Sequence, residues 1–274
     1  MNTCHTDTET TTFITVNSHR KDFRGEIVFS VDGKDCQRID DAISITQTGK
    51  GYRLSIHIAD VAHYVHINSQ ADKQAAMKAI RGKDTKLLGN KMAKNICSLC
   101  PGKERNTLSI ILYVRNDGVI YKTEITKGLI RSRMQCSYSE IDSLVSGECT
   151  DLRLESISKD ITEMRALYVL LRSRRLGKDT LSIDRTFSAH RMIEEFMIIA
   201  NKKMADYLCN EGLSSNIGIF SSANSATSPI RKMGDLKVHQ VLDMHLNGES
   251  NETVEKELEK YTDYCKMYSE SLVR

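Results

Sequence analysis

Apolar residues change their spacing partway along this chain, and that change limits the folds open to it. Between residues 26 and 126 apolar side chains form short runs or alternate with polar ones, the two-residue period of β-strands. Residues 26–31, 42–47 and 52–59 read as strands, the last two joined through Thr48-Gly49-Lys50-Gly51. Residues 107–114 and 119–126 flank Asn116-Asp117-Gly118, a strong hairpin signal. From residue 152 onward apolar positions recur every three or four residues. Helices are predicted over 152–176, stopped by Gly177, and over 188–209, 229–246 and 251–270. Two shorter helices open on capping patterns: Ser69 with Asp72, running to about Ile80, and Ser137 with Glu140, over 139–146. A strand-rich N-terminal half packed with helices from the C-terminal half is a mixed α/β (α+β) architecture. The expected organisation is a polar, Thr-rich, disordered tail over residues 1–18 and a single compact domain over 19–274.

Composition narrows the class of partner. At 40% hydrophobic and 27% charged, 274 residues can bury a sizeable core and read as a soluble globular protein. The net charge of +3 does not select a partner, but its distribution is uneven. Lys73–Arg105 and Arg165–Arg185 are locally basic, which suits a polyanion and is equally the character of a solvated helix face. Eight cysteines in a chain of this length are not a secreted disulfide framework, and neither a signal peptide nor a membrane-length apolar run is visible. The expectation is an intracellular, cytoplasmic protein with no membrane partner.

Asp32-Gly33-Lys34-Asp35-Cys36-Gln37-Arg38-Ile39-Asp40-Asp41 stands between two predicted strands. Clustered carboxylates must be paired or metal-bound if buried, and an all-oxygen set suits Mg²⁺ or Mn²⁺. Asp40 and Asp41 would point to opposite faces of a regular strand, so a shared site requires the backbone to turn there. On its own the stretch also reads as a solvated acidic turn.

Two further stretches add to it. His57-Ile58-Ala59-Asp60-Val61-Ala62-His63-Tyr64-Val65 is an apolar strand ending in polar residues. Thr227-Ser228-Pro229-Ile230-Arg231-Lys232-Met233-Gly234-Asp235-Leu236-Lys237-Val238-His239 is a turn entering a helix. With Arg20-Lys21-Asp22-Phe23-Arg24, Cys97-Ser98-Leu99-Cys100-Pro101-Gly102 and Ala189-His190-Arg191-Met192-Ile193-Glu194-Glu195-Phe196-Met197, they occur in an order that closely resembles the RNB catalytic domain of the RNase II/RNase R/exosome exoribonucleases, from about residue 20 to 245. The resemblance implies an RNB-type fold and Mg²⁺-dependent (or Mn²⁺-dependent) 3′→5′ hydrolysis of single-stranded RNA to nucleoside monophosphates, with two metals about 4 Å apart. It places Asp32, Asp40 and Asp41 on three of four metal-site aspartates, with Asp40 catalytic. Arg231 falls on the arginine that contacts the scissile phosphate, a role suited to a guanidinium fork. Lys232, Tyr64 and Arg81 are the further RNA-binding candidates.

The sequence also departs from the family. Arg38 stands where the fourth aspartate is expected, two residues before Asp40 and so on the same face if the segment is strand. One charge at ~4 Å in an effective dielectric near 20 amounts to roughly 4 kcal/mol, so the exchange weakens metal binding if Arg38 points inward; Asp35 is the candidate compensating ligand. Lys83-Asp84-Thr85-Lys86 lacks the aromatic that stacks on RNA in the family, and 179–183 and 213–227 are abbreviated. Flanking OB-type RNA-binding domains are absent, which suggests a separate RNA-binding subunit. The alternative to an exoribonuclease is therefore a catalytically impaired RNB pseudoenzyme acting as an RNA-binding or scaffold protein.

Cys97-Ser98-Leu99-Cys100 has zinc-ligand spacing without a second half-site, and the scattered Cys36, Cys136 and Cys149 are expected to be buried core thiols. His57, His63 and His239 are expected in structural hydrogen bonds, and Glu194-Glu195 in helix packing. Arg231 paired with Asp235 is the bland reading of that arginine.

Overall fold

The computed structural model describes residues 12–15, 19–81, 87–213 and 225–273. The expected tail therefore falls largely outside the described residues, as do Lys83-Asp84-Thr85-Lys86 and most of the abbreviated 213–227 segment. Eight strands make one sheet: β1 (Thr12–Thr15), β2 (Lys21–Asp22), β3 (Phe29–Asp32), β4 (Asp41–Thr48), β5 (Gly51–Ala59), β6 (Glu104–Arg115), β7 (Ile120–Arg131) and β8 (Met134–Ser137). Their spatial order is β1-β7-β6-β5-β4-β3-β8, with β2 also on the outer edge of β7. The central ladder β4-β5-β6-β7 is antiparallel and sequential, whereas β1, β2 and β8 add to the edges in parallel.

Both hairpins follow from their turn residues. Gly51 adopts φ 142°, and a Cβ there would lie 2.2 Å from the Val114 carbonyl oxygen. Gly118 closes the β6–β7 turn at φ 82°, with Asp117 Oδ1 accepting from the Val119 amide at 3.0 Å.

Helices cover both faces of the sheet: α1 (Gln70–Ile80), a π-helical turn (Lys91–Cys97), α2 (Tyr138–Ser146), α3 (Leu152–Glu155), α4 (Ser158–Leu176), α5 (Thr180–Arg185), α6 (Ala189–Asn210), α7 (Met233–Leu246) and α8 (Asn251–Val273). Alternating strand residues feed two cores. Leu54, Ile56, Leu108, Ile110 and Leu112 pack with Ile161, Met164, Leu167, Met192 and Phe196 of the long helices. On the other face Ala42, Ala59 and Ile111 pack with Ala75, Cys97, Leu99, Ile230 and Leu236. This second core contains Ile39 and Ile230, the immediate neighbours of Asp40 and Arg231. Because both faces are covered, β5 and β6 are buried over most of their length, which is why their alternation is muted in the sequence.

Ser137 and Glu140 form a complete capping box on α2, and Ser69 caps α1 by accepting from the Asp72 amide. The helix predicted over 152–176 is instead two helices. Ile157, at φ −115° and fully buried, interrupts the spiral to dock in the core, and α4 then runs to Gly177 at φ 63°. The abbreviated 179–183 segment enters a short helix over 180–185 capped by Asp179. Among the described residues no helix is long and apolar enough to cross a membrane.

Candidate active site

The acidic stretch is the connection between β3 and β4. Asp32 ends β3, Asp41 begins β4, and residues 33–40 between them are loop, tightened by the Cys36 amide donating to the Gly33 carbonyl at 3.0 Å. The expectation that position 38 and Asp40 share a strand face is thereby corrected. The β3–β4 ladder is reduced to one pairing, Phe29 with Ile43, so no strand geometry reaches these residues.

The end of the loop is pinned from both sides. Ser98 Oγ accepts from the Ile39 amide at 2.9 Å, and the Leu99 amide donates to the Ile39 carbonyl at 3.0 Å. Arg105 holds Ser98 in turn, its Nε donating to the Ser98 carbonyl at 2.8 Å. Across the sheet the Ala59 amide donates to the Asp40 carbonyl at 2.8 Å. The Cys-Ser-Leu-Cys segment thus positions the loop, and among the described residues no further ligand joins its cysteines in a group of three. Cys97 is buried, and burial pushes its thiol up to about 12.

Asp40 joins the sheet to the turn before α7. Its buried carboxylate accepts from the Ile230 amide at 2.8 Å and from Arg231 Nε at 2.6 Å. The turn is also held from the helix side, where Asp235 accepts from the Ser228 amide (2.9 Å) and Ser225 Oγ (2.8 Å). Arg231 therefore pairs with Asp40, not with Asp235. His239, buried, lies 2.7 Å through Nε2 from the Ala226 carbonyl. The Arg231 side chain remains 55% exposed, so part of its guanidinium still faces outward and is open to an anion.

Asp32 and Asp41 make no such pairing. Asp32 Oδ2 is buried without a hydrogen-bond partner among the described residues. Burial pushes the Asp41 carboxyl up to about 8, with the charges of Asp32 and Asp40 acting in the same direction. Burial likewise raises Asp40 to about 6 against the opposing charge of Arg231, and it raises Asp32. Asp32, Asp40 and Asp41 therefore form a site short of positive charge. Tyr138, at the start of α2, belongs to the same neighbourhood: burial and then the charges of Asp32 and Asp41 push its phenol up to about 12. Its ring meets His190 edge to face at 5.1 Å.

These residues fit a divalent cation by charge and by the unsatisfied Asp32 oxygen. They do not form a finished cage, since Asp40 uses both oxygens elsewhere and no three His, Cys, Asp or Glu side chains among the described residues converge as a ligand set. Arg38 is half-buried and is not among the charges that act on the three carboxylates; Arg231 is the cation that acts on them. Asp35 is exposed on the loop.

The remaining candidates separate. Lys232 directly follows Arg231 and stands exposed as the N-cap of α7. Tyr64 packs against the second core and accepts from Asn106 Nδ2 at 3.4 Å, and Arg81 lies over Tyr268 at 5.7 Å; the contacts of neither reach the acidic loop. His57 is buried between Ser109 (2.9 Å) and Ser44 (3.4 Å), and burial lowers it to about 3, so its role is structural. His63 is exposed against the Tyr64 ring, so the structural hydrogen bond expected of it is not what it makes. Glu195 is buried and binds Arg175 through two 2.6 Å contacts, tying α6 to α4. Of the thiols expected in the core, Cys136 is buried, whereas Cys36 and Cys149 are half-buried because each lies on a surface connection. Sequence reasoning missed Ser98, Asp235 as the brace of the turn, and Tyr138. The first two lay inside motifs already singled out, but only tertiary contacts reveal what they hold.

The sequence matches the RNB domain family over residues 20–219. Ribonuclease R of Chlamydia trachomatis is 31% identical over 216 residues, 71% of this chain and 31% of the relative. The chain thus spans about a third of the length of the curated relatives it matches first. Among solved structures, Mycoplasma genitalium RNase R in complex with ribose-methylated single-stranded RNA superposes with TM-score 0.73 at 18% identity, over 93% of this chain and 56% of that one. Yeast Ssd1, described as a pseudonuclease, superposes with TM-score 0.67 at 15% identity, over 92% and 44%. The match over residues 20–219, most of the chain, shows that this chain belongs to the RNB domain family.

Proposed function

We propose that the protein is a divalent-metal-dependent 3′→5′ exoribonuclease that hydrolyses single-stranded RNA to nucleoside monophosphates. The observation that carries this reading is the pair of aspartates short of positive charge, Asp32 and Asp41, beside an Asp40 already joined to a half-exposed arginine. Asp32 and Asp41 are the residues free to hold Mg²⁺ or Mn²⁺, with Asp40 able to join them if it releases Arg231. A bound ion would supply the positive charge that polarises a phosphodiester and lowers the pKa of water. The protein's own part is to hold the ends of the site rigid. Ser98 and Ala59 fix the backbone of Ile39 and Asp40, Asp40 and Asp235 fix the turn, and the exposed side of the Arg231 guanidinium, whose Nε and Nη2 engage Asp40 and Ser228, would meet a phosphate oxygen.

A second reading, RNA binding without hydrolysis, is favoured by one feature: Asp40 and Arg231 neutralise each other directly, so a metal must compete with the guanidinium for that carboxylate. Mononucleotide release from an end-labelled single strand, with Mg²⁺ or Mn²⁺, decides between them. Release that disappears in Asp40→Asn, with RNA still bound, is the result expected of the exoribonuclease. Binding with no release from the unaltered protein establishes the second reading instead.

A further inference from the structure

The α1–α8 junction carries an array of aromatic and cationic side chains that the acidic site does not use. Tyr264 and Tyr268, one turn apart on α8, lie parallel, with ring centroids 6.4 Å apart and an interplanar angle of 11°. Lys73 at the start of α1 lies over Tyr264 at 5.4 Å, and Arg81 at its end lies over Tyr268 at 5.7 Å. Both tyrosines are half-buried and Arg81 is exposed.

Charge around the array is segregated. The ionisable side chains of α1 are Asp72, Lys73 and Lys78, and Asp72 is buried on Lys237, so the exposed side of α1 is purely cationic. On α8 the exposed acids Glu252, Glu255, Glu259, Asp263 and Glu270 sit roughly 100–180° around the helix from Tyr264 at 100° per residue. Glu257, the acid on the tyrosine side, is taken up by Asn68 (2.7 Å) and Lys260 (2.5 Å). α8 is therefore acidic where it faces away and aromatic where it meets α1. Parallel aromatic rings flanked by cations suit one chemistry particularly well: unstacked bases joined by phosphates. A base can extend the Arg81–Tyr268 stack while its phosphate meets Lys73 or Arg81.

We infer that the α1–α8 face, built from Lys73, Arg81, Tyr264 and Tyr268, is a second contact surface for single-stranded RNA, separate from the acidic site. This deepens the proposed function and rests on RNA being the ligand. It places base stacking on a helix outside the matched RNB segment, 20–219.

The test uses a single-stranded oligoribonucleotide carrying 5-bromouracil, with the intact chain and with Tyr264→Leu, Tyr268→Leu and, as a control elsewhere, Tyr121→Leu. Photo-crosslinks mapping to Tyr264 or Tyr268, and affinity about tenfold weaker in either variant but not in the control, are expected. A crosslink in the unaltered protein does not depend on whether the variants fold. If the unaltered protein binds RNA but crosslinks elsewhere and the variants bind equally well, this surface is not a contact. If it does not bind RNA at all, the proposed function itself falls.

Discussion

At the scale of single residues, the site is governed by unequal treatment of three neighbouring aspartates. Asp40 has a guanidinium and an amide, whereas among the described residues neither Asp32 nor Asp41 has a cation bound to it and burial raises both. A carboxyl whose folded pKa is raised holds its proton more tightly folded than unfolded. Its contribution to stability is therefore greatest below pH ~4 and is lost as pH rises towards 8, where burial has pushed Asp41. Asp41→Asn removes that slope. In the metal-free protein the variant should melt higher than the unaltered chain at pH 8.5, and the gap should close towards pH 4; a constant gap would mean that Asp41 titrates normally. Added Mn²⁺ should raise the melting temperature of the unaltered protein and leave Asp41→Asn nearly unmoved. Arg38 gives a second residue-scale test. The sequence shows a positive charge where a metal-site aspartate is expected, but not its direction, because the direction depends on a loop that strand reasoning misread. With Arg38 outside the set of charges acting on the carboxylates, Arg38→Ala should change Mn²⁺ affinity by less than about threefold. A gain of tenfold or more, ~1.4 kcal/mol, would show that its charge does bear on the site.

At the scale of elements, legibility followed local chemistry. The α2 capping box, the Gly177 stop and both hairpins were readable because each is decided by residues within a few positions of one another. What stayed hidden was decided from afar. β8 is four residues long and exists because it pairs in parallel with β3, and the break at Ile157 exists because a core pocket takes that side chain. The end of the 33–40 loop likewise takes its position from Ser98 and Ala59, both distant in sequence. Gly51 is the clearest case of an element hanging on one residue. Its φ of 142° is strained for any L side chain, and the added Cβ would collide with backbone at 2.2 Å, which no rotamer relieves. Gly51→Ala should therefore destabilise the fold by about 3 kcal/mol or more, read as a midpoint shift in urea. A shift under 1 kcal/mol would mean that the β4–β5 turn reopens freely. Gly25, where an added Cβ meets nothing within 4 Å, is the matched control.

At the scale of the whole molecule, the arginine turn is held in place by contacts between parts of the chain distant in sequence, and the most buried of these is ionic. Lys237 on α7 is fully buried. Its ammonium donates to both Asp72 oxygens of α1 (2.8 and 2.7 Å) and to Gln240 Oε1 (2.8 Å), and it lies 3.3 Å from the centroid of the Tyr261 ring on α8. Gln240 continues the network to the Val65 carbonyl at 2.7 Å. Three helices thus meet at one ion pair, whose Lys237 lies six residues beyond Arg231 within the same turn and helix. Sequence patterning did not mark this pair, because a lysine and an aspartate on amphipathic helices are ordinarily solvent-facing. Asp72 has another duty: it accepts from the Asn68 amide at 2.9 Å, holding a non-glycine residue at φ 60°. The two partners are therefore not equivalent. Removing either charge alone leaves the other buried and unpaired, which costs roughly 3–5 kcal/mol. Replacing both by Asp72→Asn and Lys237→Met removes the charges, keeps an acceptor for Asn68 and preserves the lysine's volume. The double variant should recover most of what either Asp72→Ala or Lys237→Met loses in urea unfolding. If Lys237→Met alone is as stable as the unaltered protein, the ammonium is reaching water in solution and the junction of α1, α7 and α8 is looser than the contacts imply. If the double variant is no better than the single ones, the network's hydrogen bonds, and not its charges, hold the three helices beneath the arginine turn.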